Sequence, residues 1–331
     1  MTEILHEDDA DPRALEGARV AVVGYGNQGR SWALNLRDSG VDVTVAVRAD
    51  ESRARARDDG FDPVEPSAAS DADVLCLLVP DDAIPELPVR PRPDALTVVA
   101  SGYTLAFDRL HVDGDLGMVA PRMLGPEVRS CYLEGEGFIS AVGVHRDLTG
   151  TARERTLALA LALGGLRRGG IVMTATQEAV LDLAVEQLLS PALTLVNSSF
   201  VQVMLEAGIP LEAVLCELFL SGEIERNYRM LREEGFVAQL DHHSPTSQYG
   251  QLSRRGRYDH LDVAATMREL LGEITSGRFA DEWDAERSSG HPTLQALRAE
   301  HASPELAAFE AAVREQFQPR PAQGAGAAAP G

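Results

Sequence analysis

Residues 19–30 read RVAVVGYGNQGR, and this stretch decides the fold. Gly24, Gly26 and Gly29 carry the G-x-G-x-x-G spacing. An apolar strand precedes them, a helix over 30–39 follows, and a second strand over 41–47 comes next, which is the context the motif requires. Gly24 permits the tight turn, Gly26 lets backbone approach a pyrophosphate, and Gly29 allows close helix–strand packing. The helix N-terminus then faces the phosphates. The turn is therefore expected to bind a nicotinamide dinucleotide through Gly24, Tyr25, Gly26, Asn27, Gln28 and Gly29.

Working outward, apolar runs recur at 20–23, 41–47, 74–79, 96–100, 116–119 and 139–144, separated by polar or helical stretches. Strands alternating with helices predict a mainly parallel, doubly wound α/β sheet over residues 18–173. From Thr174 the apolar period becomes helical, over 177–206, 211–234, 261–276 and 304–317. Residues 174–318 are thus expected to form an all-helical domain that buries a face against another copy. Residues 1–17 read as a leader with a short strand at most. The Ala/Gly/Pro-rich tail, 319–331, is expected to be disordered.

Composition narrows the function. A net charge of −21 argues against nucleic acid as a partner, because phosphate neutralisation needs a basic surface. Every Lys/Arg-type residue is Arg, which excludes Lys as a base or Schiff-base nucleophile. Cys76, Cys131 and Cys216 are widely spaced and read as reduced core thiols of a cytoplasmic protein. No signal sequence and no apolar run of bilayer-spanning length is expected.

Two regions carry candidate chemistry beyond the turn. The end of the second strand holds Arg48, with Ser52 and Arg53 on the loop. A guanidinium and a hydroxyl there suit a ribose 2′-phosphate, favouring NADPH, whereas Asp50 and Glu51 favour NADH. In the helical region Asp182 and Glu186 are four apart among Leu181, Leu183 and Val185, so they share one helix face. Paired carboxylates of this kind suit a hard cation such as Mg2+, and equally a solvated acidic face. Glu217, Glu223 and Glu225 form a second acidic cluster. Glu217 and Glu223 would lie about 240° apart on an ideal helix, unless the chain breaks near Gly222.

Together these segments resemble the ketol-acid reductoisomerase (acetohydroxyacid isomeroreductase) family of branched-chain amino acid biosynthesis, in its short class, over residues 18–315. The resemblance is carried by GYGNQG (24–29) followed by ALNLRDSGV (33–41), by VPDD (79–82), and by GGLRRGG (164–170) leading to LDLAVEQ (181–187). It implies an NAD(P)H- and Mg2+-dependent oxidoreductase acting on a small 2-keto acid with an adjacent hydroxyl. It implies Pro80 and Asp81 beside the cofactor, and Asp182 and Glu186 as metal ligands. It also implies a homodimer or higher oligomer in which a second helix, usually the partner's, supplies further glutamates. Counting from Glu206-AGIPLEAVLCE places Glu217 on the first; counting back from Ser244-PTSQYG places Glu223 on the second. Glu223 is the preferred ligand, Glu217 stays a candidate, and Ser244 is the substrate-carboxylate contact.

Two departures stand out. Ser101 occupies the position of the family's loop His, and Arg122 that of its loop Lys. Ser cannot relay protons near neutrality and Arg is a poor proton donor, so the isomerase half is touched more than hydride delivery. Ser101 and Arg122 are nonetheless expected to line the site. Two readings remain beside this one: a metal-independent hydroxy-acid dehydrogenase or imine reductase, and a catalytically silent NADP-binding protein.

Overall fold

The structure is a computed structural model that describes residues 2–301 and 304–318; the expected disordered tail lies outside the described residues. The chain divides into two compact units, one running to Val185 and the other starting at Glu186.

In the first unit eight strands form one sheet: β1 (Ile4–Leu5), β2 (Arg19–Val23), β3 (Asp42–Ala46), β4 (Val74–Leu77), β5 (Leu96–Val99), β6 (Asp115–Pro121), β7 (Ser140–Arg146) and β8 (Gly170–Val172). Their order is β1-β8-β7-β6-β5-β4-β2-β3. Strands β3, β2, β4, β5 and β6 are parallel; β7 runs antiparallel to β6, and β1 antiparallel to β8. The N-terminal leader is therefore part of the sheet, pairing Ile4 with Ile171 and covering an edge that would otherwise expose unpaired backbone groups.

Alternation along the strands sends side chains to two cores. Val20, Val22, Val45, Cys76, Val98 and Val119 pack on one face under Trp32 and Leu36 of α1 (Asn27–Asp38) and Leu159 and Leu163 of a later helix. Ala21, Val23, Leu75, Leu77, Val99 and Met118 face the other layer. A sheet buried on both faces explains why β4, Val-Leu-Cys-Leu, is apolar throughout. The remaining helices of this unit are α2 (Glu51–Asp58), α3 (Tyr103–Ala106), α4 (Gly125–Leu133), α5 (Ala152–Leu163) and α6 (Ala175–Ala184). Cys76 is fully buried, and burial pushes its thiol pKa up; Cys131 is partly covered and packs against the same core, while Cys216, in the second unit, is partly covered.

The second unit is helical: α7 (Ser190–Glu206), α8 (Leu211–Leu215), α9 (Glu223–Glu234), α10 (Pro245–Arg254), α11 (Val263–Thr275), α12 (Arg278–Ser288), α13 (Pro292–His301) and α14 (Pro304–Gln316). Among its described residues only Val214, Ile274, Ala280 and Val313 are buried apolar residues, while Leu195, Val196, Val203, Phe219, Phe236 and Val237 are exposed. Among the described residues, one copy of this unit buries few apolar side chains. The expectation about apolar runs is corrected here. The helical stretch Ala175–Glu206 is long and apolar enough, by length and composition, to cross a bilayer. Its Ser, Thr and Asn residues interrupt the apolar run without adding charge, which is why counting consecutive apolar residues overlooked it.

One buried polar group anchors the return from the sheet to α5. Asp115, fully buried at the start of β6, accepts hydrogen bonds from Leu148 N (2.7 Å), Thr149 N (3.1 Å) and Thr149 Oγ1 (2.6 Å). Asp115→Ala leaves those donors unsatisfied, at about 1–3 kcal/mol each in the worst case. A thermal midpoint lowered by roughly 5–10 °C in a calorimetric scan is the expected outcome.

Candidate functional site

The candidate site gathers at the carboxyl ends of the parallel strands, where doubly wound sheets bind ligands. At the end of β2, Gly24 adopts a φ of +104°, and a Cβ there would stand 2.4 Å from the Leu78 carbonyl oxygen. No side chain is tolerated, because the turn is wedged between the ends of its neighbouring strands: Gly24 N donates to Ala46 O at 3.0 Å. Gly26 caps α1 with open space around it, so the unpaired N–H groups of the first turn are accessible to an anion. Tyr25 points elsewhere. Its ring is buried and its hydroxyl donates to Asp59 Oδ2 at 2.9 Å. Arg30 Nε and Nη2 grip the same carboxylate at 2.7 and 2.8 Å, which holds Asp59 below the usual carboxylate range. Tyr25 thus braces the turn with its side chain and offers only backbone to a ligand.

At the end of β3 the expected phosphate-binding residues separate. Arg48 is strongly exposed and 3.8 Å from Asp50 Oδ2. Asp50 caps α2 by accepting from Ser52 N at 2.9 Å, so its charge is partly committed to the helix N-terminus. Arg53 turns to Glu65 Oε1 at 2.7 Å. Pro80 precedes the short 3-10 helix Asp81–Glu86 after β4.

The chemical centre of the first unit is a residue that the sequence reading passed over. Glu178 lies on α6, whose start is fixed by a capping box between Thr174 and Gln177. Only 1% of Glu178 is exposed. Its Oε2 accepts from Gly102 N at 2.6 Å and its Oε1 from Arg122 Nη1 at 2.5 Å. Arg122 Nη2 reaches Asp182 Oδ1 at 2.9 Å. Burial raises the Glu178 carboxyl pKa, opposed by the Gly102 N–H, while the nearby Asp182 charge adds to the rise and Arg122 counters it. One guanidinium between two carboxylates leaves the cluster with a formal surplus of one negative charge. The signal was available in the sequence: Glu178, Asp182 and Glu186 recur at every fourth position, so Asp182 has a same-face acid on either side. Ser101 sits beside this cluster on the loop after β5, its Oγ accepting from Tyr103 N at 3.2 Å.

The other acids lie in the second unit. Glu186 falls in a π-helical turn, Val185–Leu189, and Glu217 in another, Cys216–Leu220. Such turns interrupt regular helices at a cost and recur at functional sites. Gly222, with a left-handed backbone, then breaks the helix before Glu223 opens α9. The break anticipated near Gly222 is present, so ideal-helix angles do not apply to Glu217 and Glu223. Ser244 caps α10, accepting from Ser247 N at 3.3 Å. His242 pairs with Glu234 at 2.7 Å, and His243 with Gln239 at 2.7 Å. Among the described residues no group of three or more His, Cys, Asp or Glu side chains converges within one chain.

Comparison with known proteins gives a consistent result. Residues 14–169 match the family model described as acetohydroxy acid isomeroreductase, NADPH-binding domain, and residues 176–318 match that of the ketol-acid reductoisomerase C-terminal domain. The chain is 35% identical over 309 residues to the ketol-acid reductoisomerase (NADP(+)) of Saccharopolyspora erythraea, covering 90% of this chain and 92% of that one. It is 35% identical over 305 residues to the ketol-acid reductoisomerase (NAD(P)(+)) of Metallosphaera sedula, covering 89% and 90%. A solved NADH-preferring ketol-acid reductoisomerase from an uncultured archean superposes with a TM-score of 0.88 at 31% identity, covering 95% of this chain and 99% of that one. A semialdehyde dehydrogenase NAD-binding protein from Cupriavidus necator, at 18% identity and a TM-score of 0.53, shares the fold alone. With both of its halves matched in order along nearly its whole length, the chain belongs to the ketol-acid reductoisomerase family.

Proposed function

We propose that this protein is an NAD(P)H-dependent ketol-acid reductoisomerase of the cytoplasm, acting on 2-acetolactate-type substrates within branched-chain amino acid biosynthesis. The single observation that carries this reading is the joining of Arg122 to Glu178 and Asp182 at the sheet edge that also bears the Gly24–Gly29 turn. The match of both halves of the chain to the family favours this activity over a metal-independent dehydrogenase or a silent dinucleotide-binding protein.

Asp182, Glu186 and Glu223, with Glu217 as a further donor, would hold Mg2+. The donor set is carboxylate oxygen throughout, which fits a hard cation. A divalent cation held there supplies Lewis-acid polarisation of the substrate carbonyl. The chain's own residues do the rest. Arg122 binds and orients the anionic substrate. The Gly102 N–H and Arg122 keep Glu178 fixed in a desolvated position. Ser101 lines the pocket and Ser244 contacts the substrate carboxylate. Ser101 and Arg122 are weaker proton carriers than His and Lys, so reduction proceeds more readily here than alkyl migration.

The second unit supports a homodimer. Its exposed apolar side chains and small buried set leave a surface that a second copy of the same unit would cover. The partner is then the source of the acids that one chain does not bring to Asp182. No nucleic-acid or membrane partner forms part of this reading.

The cofactor is NADPH, with Arg48 and Ser52 at the 2′-phosphate. The exposure of Arg48 and the commitment of Asp50 to the α2 cap support this choice, while Arg53 is taken up by Glu65. Arg48→Ala should raise KM for NADPH by about 10-fold or more and leave KM for NADH within about twofold, as expected for one charge-assisted contact. Steady-state kinetics with both cofactors checks this, and equal effects on both would show that Arg48 does not read the phosphate.

Activity should vanish with EDTA and return with Mg2+, and Asp182→Asn should lower kcat/KM by at least about 100-fold. Undiminished turnover in EDTA would return the metal-independent reading. With NADPH and Mg2+, a pre-isomerised 3-hydroxy-2-keto acid is expected to turn over faster than 2-acetolactate. Faster turnover of 2-acetolactate would show that Ser101 and Arg122 do not limit the isomerase half.

A further inference from the structure

Three polar residues on α1, Gln28, Ser31 and Asn35, follow i, i+3, i+7 spacing and so share one helix face. Ser31 is 4% exposed and Asn35 is fully buried. A helix packed on a sheet normally buries apolar residues there, and each buried polar group needs a partner. Each of the three donates to a carbonyl oxygen of one segment, 123–128, and Asn35 Nδ2 is shared with Leu163 O of α5 at 3.1 Å. Gln28 Nε2 donates to Met123 O at 3.4 Å, Ser31 Oγ to Gly125 O at 2.7 Å, and Asn35 Nδ2 to Val128 O at 3.2 Å. Trp32 Nε1 in turn donates to Gln28 Oε1 at 3.2 Å and fixes that side chain. At the middle of the segment Gly125 lies directly against the turn. A Cβ on Gly125 would stand 2.5 Å from the Asn27 carbonyl carbon.

This segment begins with Arg122, whose backbone N donates to Ile139 O at 2.8 Å and whose guanidinium joins Glu178 and Asp182. Arg122 is three residues from Gly125. The first turn of α1 and the acidic cluster are thus connected by a strap of backbone, held at its far end by side chains of α1. Close-packed interiors transmit small shifts rather than absorbing them.

We propose that Ser31 and Gly125 are positioning residues that transmit occupancy of the Gly24–Gly29 turn to Arg122, so that dinucleotide and anionic substrate bind with positive coupling. The proposal rests on the reading of Arg122 as the substrate-orienting cation. Dinucleotide phosphates on the first turn of α1 set the position of Gln28, Ser31 and Asn27; these set Met123 and Gly125; and those set the guanidinium. Linkage then requires the substrate to strengthen dinucleotide binding by the same factor.

The test is calorimetric titration of the full Mg2+-loaded chain with 3-hydroxy-3-methyl-2-oxobutanoate, with and without saturating NADP+, whose oxidised ring prevents turnover. In the wild type the substrate should bind at least about fivefold more tightly with NADP+ present. In Ser31→Ala that ratio should fall below about twofold, while the affinity for NADP+ alone stays within about twofold. Gly125→Ala should do the same; if it fails to fold, Ser31→Cys, close in volume, takes its place. A stripe that only braced the fold would lower thermal stability and leave the ratio unchanged, which would overturn the proposal, as would a wild-type ratio of one. Arg122→Ala separates the two readings. If it binds the keto acid as the wild type does, the assignment of Arg122 fails. If it loses that affinity while Ser31→Ala keeps the full ratio, the coupling alone fails.

Discussion

A buried carboxylate cannot remain in a protein interior without partners, and Glu178 is such a group. Its two oxygens are satisfied by the Gly102 N–H and by Arg122, which come from the loops after β5 and β6. Glu178 itself comes from α6, the last helix of the first unit. One desolvated charge therefore ties together three elements that are distant in sequence. Leaving such a charge unpaired costs on the order of 3–5 kcal/mol, a large fraction of the stability of a domain. Its satisfaction constrains Gly102 as well. A Cβ there would stand 2.2 Å from the Ala175 carbonyl oxygen, so the loop can reach α6 only with glycine at that position.

The same constraint shapes the site. Because Glu178 takes one side of the Arg122 fork, the other side is directed at Asp182. A planar guanidinium can serve two carboxylates at once through separate nitrogens, whereas an ammonium is a point charge. Arg122 thus divides a single cation between two acids. The polar stripe of α1 then extends the arrangement toward the dinucleotide turn. The sheet edge reads as one connected structure in which Gly24, Ser31, Gly125, Arg122 and Glu178 each depend on a neighbour's backbone.

The second unit obeys a different constraint. Its helices are apolar on faces that no other part of the described unit covers, and its few buried residues are scattered. Helices of this composition are stabilised by packing more than by propensity. Its two π-helical turns carry Glu186 and Glu217, where the helices depart from regular geometry at the acids that the metal reading needs.

What the sequence by itself determined was local and periodic. The 19–30 stretch was sufficient for the turn, because glycines at those spacings between a strand and a helix have few alternative structures. The strands were legible from continuous apolar runs and the helical half from its period. The cofactor turn and the acid at 182 were read from residue type and order, whereas the two loop positions 101 and 122 came from the resemblance to the family. The sequence could not show that Tyr25 turns inward to Asp59, that Arg53 is taken up by Glu65, or that residues 4–5 join the sheet. Each is a pairing across 12 to 167 positions, set by which groups are desolvated together. Glu178 is the clearest case. Its place four residues before Asp182 put it on the same helix face, but among 51 acidic residues only the tertiary structure, by burying it against Gly102 and Arg122, distinguished it.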